Sequence, residues 1–109
     1  VLFVNDDFAK SNPQTVKKVL SAVKKGYEFA IENPEEAAGI LLEAAPELDP
    51  HIVTESQKWL AGQYIADGPK WGHIDQERWD AFYGWLFENK LIEREIPKGT
   101  GFTNEYLPE

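Results

Sequence analysis

The chain has 109 residues, the length of one small domain, and no cysteine, which excludes a disulfide frame, a thiolate nucleophile and a Cys-type zinc site. Its net charge of −8, from 19 acidic and 11 basic residues, argues against nucleic acid, whose phosphates need a basic footprint, and against a general affinity for anionic membranes. Hydrophobic residues at 42% and aromatics at 13% disfavour disorder.

Val1 to Asn5 (VLFVN) is a β-branched and aromatic run ended by Asn5-Asp6-Asp7, and it predicts one buried strand. An apolar run at residue 1 without an initiator Met also predicts a fragment of a longer protein. Three Asx-Pro pairs, Asn12-Pro13, Asn33-Pro34 and Asp49-Pro50, then mark helix starts. The Asx side chain can accept from a free backbone N–H, and proline supplies a helical φ where its missing N–H costs nothing. Asn33 with Glu36 fits a capping box.

The first long helix is predicted from Pro13 to Glu32, with Val16, Val19, Leu20, Val23, Tyr27, Ala30 and Ile31 on its apolar face. Gly26 inside it costs roughly 1 kcal/mol relative to Ala, and a close helix crossing would explain its presence. A helix from Pro34 to Ala45 carries Ala37, Ile40, Leu41 and Ala44, and Pro46 ends it. The next, Pro50 to Ile65, places Ile52, Ser56, Trp59, Leu60 and Tyr64 on one side. Residues 66–73 (ADGPKWGH) form a loop by composition. Asp75 caps a last helix to Asn89, with Trp79, Phe82, Tyr83, Leu86 and Phe87 on its apolar face, and 96–109 is extended. The expected fold class is therefore mainly α: one N-terminal strand plus about four helices in a single domain, 1–109.

No catalytic signature stands out, so no catalytic residue, metal ligand or cofactor is assigned. His51 and Glu55 are four apart, a spacing that suits two metal ligands on a helix, and His73, Asp75 and Glu77 alternate across a helix start. Neither cluster supplies three converging ligands. Trp71, in a Gly/Pro-rich loop, either packs over hydrophobic surface or stacks on a flat ligand. Asn5 and Asp6 follow the predicted strand, and ligands approach α/β sheets at the carboxyl ends of strands. They either orient a ligand or cap the next turn. Asn5, Asp6 and Trp71 are the candidate ligand-binding residues.

The segment LFVNDDFAKSNPQTVKKVLSAVKKGYEFAIENPEEAAGIL, residues 2–41, resembles the ABC-importer substrate-binding proteins for thiamine-pyrimidine (hydroxymethylpyrimidine) precursors, related to sulfonate, taurine and nitrate binders. Asn12, Pro13, Val16, Lys17, Leu20, Gly26, Tyr27, Ala30, Asn33, Pro34, Glu36 and Ala37 carry the likeness, and FTNEYL at 102–107 is similar to that family's C-terminus, which implies that the chain is the C-terminal part of such a protein. The resemblance implies a two-lobe α/β periplasmic-binding-protein-like fold closing on a small molecule. It also implies an extracytoplasmic location (periplasmic or lipid-anchored at the outer face of the cell membrane) and the membrane subunits of an ABC transporter as partners. Most cleft residues of such proteins come from the preceding part of the chain. Fungal relatives make the pyrimidine with a histidine and a cysteine-rich segment that have no match here.

Two readings follow: part of a solute-binding protein without enzymatic activity, or an independent helical protein-interaction module. A self-contained helical module has no use for VLFV. Unpaired backbone there and exposed helix faces further predict that the chain self-associates as a homodimer.

Overall fold

The computed structural model describes residues 1–109, in five helices: α1 (Asp6–Ser11), α2 (Pro13–Glu32), α3 (Pro34–Ala44), α4 (Pro50–Ala61) and α5 (Gln76–Glu88). The chain is mainly α, as its periodicity predicts, and the bounds of α2 match the prediction. The predicted strand is absent. Residues 1–4 pair with nothing, Asn5 caps the helix that follows, and Val1 and Phe3 are 96% and 97% exposed. A lone strand has no neighbour for its ladder, so an apolar β-type run does not become a strand by itself. The turn expected at Asn5-Asp6-Asp7 is instead the first turn of α1.

Capping at the Asx-Pro pairs divides by geometry. Asp49 has extended backbone (φ −69°, ψ 117°), and its side chain accepts from the N–H groups of His51 and Ile52. Asn12 and Asn33, at φ −131° with ψ 49° and 62°, make no N-cap side-chain bond. Their amides turn back and donate to the carbonyls of Phe8 (3.4 Å) and Phe29 (3.3 Å) in the preceding helix. Asn89 does the same to Trp85 at 2.9 Å. Each of these carbonyls also accepts from the backbone N–H of the same asparagine, so the side chain adds a second bond to the last helical one, and no capping box forms between Asn33 and Glu36.

Helix α2 packs on α3 and α4, α3 and α4 pack most extensively on each other, and α1 touches only α2. This layer holds three of the four fully buried residues, Ala9, Val16 and Ala38. On α2 the predicted face is largely the packed one, with Val16 buried and Leu20, Val23, Ala30 and Ile31 half-buried. On α3 and α4 the packed side is rotated by about one residue. Ala38 and Leu42 turn inward while Ile40 and Leu41 stay exposed; Val53 and Gln57 turn inward while Ile52, Ser56 and Trp59 stay exposed. The small side chains of Ala37 and Ala38 let α4 approach there, and close approach outweighs the larger apolar side chains beside it. Gly26 faces open space, with nothing within 4 Å of where a Cβ would lie, so no close crossing accounts for it.

Helix α5 meets no other helix. It is held by the segment after it, which runs in turns rather than extended and folds back across the loop at 62–75. The whole is open: the radius of gyration is 17.1 Å, against about 13 Å for a compact chain of this length. Its accessible surface is 8547 Å², against about 6,100 Å² for a compact 12.4 kDa monomer.

Candidate functional site

Two concave surfaces lie on the α2–α4 layer. Between α3 and α4 is a groove of about 200 Å³, lined mainly by Ala37, Ala38, Leu41, Ile52, Val53 and Leu60. Beside it, where α2 gives way to α3, a wider and wholly polar hollow is formed by Glu32, Asn33, Pro34, Glu35, Glu36 and Lys58. Lys58 spans the second, reaching Glu35 at 2.9 Å and Glu55 at 3.3 Å. The hydrogen bond and charge of Lys58 hold the Glu35 carboxyl below its usual range. The same bond to Glu35, then that to Glu55, raises Lys58. Both groups lie in water, so the pair fixes α4 against the start of α3 only weakly.

Trp71 is buried, 7% exposed. Its ring lies 5.4 Å from that of Tyr27 on α2, and Tyr27 meets Tyr64 edge-on at 4.9 Å. The Tyr64 hydroxyl donates to Gln57 Oε1 (2.9 Å), and Gln57 Nε2 donates to the carbonyl of Ala30 (3.2 Å). That carbonyl is in the last turn of α2, where no helical partner exists. A three-ring cluster and a two-step hydrogen-bond relay thus tie the loop, α4 and the end of α2 together.

Asn5 caps α1: its side chain accepts from the N–H of Phe8 at 3.1 Å. Asp6 stands in the same first turn with Asp7, where negative charge suits the helix dipole. The three candidates do not form one constellation. Asn5 and Asp6 head α1, which joins α2 at Asn12, whereas Tyr27, the partner of Trp71, lies about 21 Å along α2 from Pro13. No hydrogen bond joins Trp71 to either residue. His51 and Glu55, and His73, Asp75 and Glu77, do not gather into a group of three metal-ligating side chains; Asp75 caps α5 by accepting from the N–H of Arg78.

Neither Gln57 nor Asn104 stands out in the sequence. Tyr64, expected on the apolar side of α4, lies in the turn after Ala61 and reaches back to Gln57 from there. Nothing local marks Asn104, whose partner Ile74 is thirty residues away.

Comparison with known proteins bears on the segment in which α1 and α2 meet. Residues 1–37 match the NMT1/THI5 like family model, covering both Asn-Pro joints. The likeness is to the NMT1/THI5-like proteins. Asn5 and Asp6 lie within the matched residues, and Trp71 lies outside them. Over 95% of its length the chain is 26% identical to a formylaminopyrimidine-binding protein of Halalkalibacterium halodurans. Over 100% it is 25% identical to a 4-amino-5-hydroxymethyl-2-methylpyrimidine phosphate synthase of Legionella pneumophila. The chain spans about a third of the length of each of these relatives, 33% in both cases. The resemblance to thiamine-pyrimidine proteins read from residues 2–41 thus has support from the family model and from both relatives, one named as a binder and the other as a synthase.

Proposed function

We propose that this chain is the C-terminal part of an extracytoplasmic solute-binding protein that delivers a small molecule, a thiamine-related pyrimidine, to an ABC importer. The likeness to a formylaminopyrimidine-binding protein along 95% of the chain carries the reading. The open shape supports it, because α5 and the faces of α3 and α4 present apolar side chains that a larger two-lobe body would cover. In this reading the rest of the ligand cleft belongs to the remainder of the protein, and Asn5, Asp6 and Trp71 are the residues of this part assigned to the ligand. Its partners are the ligand and the membrane subunits of the transporter.

The protein holds its ligand without turning it over. A relative named as a synthase makes this a point to measure. Calorimetry on the full-length protein with formylaminopyrimidine and hydroxymethylpyrimidine is expected to show one-to-one binding, with the pyrimidine recovered unchanged. Absence of binding to either compound, or formation of a pyrimidine phosphate, overturns the proposal. Residues 1–109 alone are expected to bind far more weakly. Equal affinity would place the whole site within them.

The alternative, an independent helical interaction module, is left with less to stand on. Such a module needs no likeness to small-molecule proteins along its whole length. Pyrimidine binding by the full-length protein separates the two.

A further inference from the structure

Helix α5 packs on no other helix, yet the segment after it ties it by polar bonds to the loop before it and reaches α2 at Lys24. Of the hydrogen bonds that a side chain makes across more than a dozen residues, all but that of Gln57 to Ala30 involve residues 99–109. At one end of this segment the N–H of Gly99 donates to Asp80 Oδ1 (2.8 Å), and Trp79 Nε1 donates to the carbonyl of Thr100 (2.9 Å). Phe102 lies 5.2 Å from the Trp79 ring. These grip the first half of α5. At the other end Lys24 of α2 donates to the main-chain oxygen of Glu109 (2.7 Å), and Lys70 to that of Pro108 (3.4 Å).

Asn104 stands between the two ends. Its Oδ1 accepts from the N–H of Ile74 (3.0 Å), and its Nδ2 donates to the carbonyl of the same residue (2.9 Å). An amide is the neutral side chain that can both donate and accept in this way, and it serves Ile74 as a neighbouring strand would. Beside it, Gly72 holds φ +79°, and a Cβ there would sit 2.9 Å from Leu107 Cδ2. The segment and the loop are therefore fitted closely, at a backbone conformation that favours glycine.

We propose that residues 99–109 are a strap that holds α5 against the loop at 62–75, with Asn104 as its clasp. When the clasp is undone, α5 and that loop loosen together, while Trp71 stays seated on Tyr27 and the α2–α4 layer stays closed. Stability in proteins is distributed over such cooperative units. Here the strap supplies what helix packing supplies elsewhere.

Hydrogen exchange on the full-length protein tests this with Asn104→Leu, which keeps the volume and removes both bonds. Amides of α5 and of residues 62–75 are expected to exchange about tenfold faster, in keeping with two lost hydrogen bonds, while those of α2 to α4 keep their rates. Equal acceleration over α2 to α5, or no change in α5, overturns the proposal. If Asn104→Leu does not fold, Leu107→Ala is expected to give the same pattern with a smaller factor, and a uniform response to it is equally decisive against the strap.

Discussion

The ring of Trp71 lies 5.4 Å from that of Tyr27, tilted by 41°, so the one buried tryptophan of the chain docks the loop before α5 onto the second half of α2. Trp59 and Trp85 are 66% and 52% exposed. Acrylamide should therefore quench the fluorescence of wild-type residues 1–109 in two classes, and Trp71→Phe should remove the protected class. Trp71→Ala should lower the unfolding free energy by about 3–5 kcal/mol, as for other large-to-small core changes. A single quenching class in the wild type would show that the loop is not docked.

Gly26→Ala should stabilise the protein. The position is in the interior of α2, with open space around the missing Cβ, so the change gains roughly 0.5–1 kcal/mol of helix preference without a clash. The thermal midpoint reads it. A fall in the midpoint would mean that a neighbour approaches Gly26 in the full-length protein.

The Glu35–Lys58 pair gives a pH dependence of known sign. The folded-state pKa of Glu35 is depressed, so its contribution is present above the usual carboxylate value and is lost as pH falls through the folded one. Lys58 is raised, so its contribution is complete below its usual value and disappears as pH rises through the folded one. Carboxyl NMR titration should place Glu35 lower in the wild type than in Lys58→Met, and the difference should shrink in salt because both groups are exposed. Identical titrations would show that the bond is not populated.

We propose, as the sequence leads one to expect, that residues 1–109 by themselves self-associate as a homodimer. Their surface exceeds that of a compact monomer by about 2,400 Å², and Val1, Phe3, Ile52, Trp59, Phe82 and Trp85 are each more than half exposed. A standard interface takes about 800 Å² from each partner. Light scattering should give a mass above 12.4 kDa at micromolar concentration. A 12.4 kDa particle with residues 1–5 disordered would contradict it.

Much of this architecture was legible in the residues. Pro13 and Asn33 bound α2 because proline and the asparagine ends act within one turn of chain, and Asp75 begins α5 for the same reason. What escaped depends on neighbours distant in sequence. VLFV has strand chemistry, but a strand needs a partner, so residues 1–4 form no strand and stay exposed. The packed sides of α3 and α4 are chosen by Ala37 and Ala38, whose value is the close approach they permit, and a hydrophobic pattern favours Ile40, Leu41 and Trp59 instead. For the candidate site, the sequence singled out Trp71 as a side chain that either packs or stacks. The ring it packs on, and the relay from Tyr64 through Gln57, come from three separate elements.

The joints at Asn12 and Asn33 are each one residue long, and each asparagine bonds the helix behind it while its carbonyl starts the helix ahead. Neighbouring helices are thereby coupled like meshed gears. One residue inserted in α2 near Asn33 would rotate everything beyond it by about 100° about the helix axis, carrying α3 and α4 together off the face of α2 they pack on. Changes of length among related chains should then be scarce from α1 to α3 and gather in residues 62–75, where the chain has no helical phase to keep.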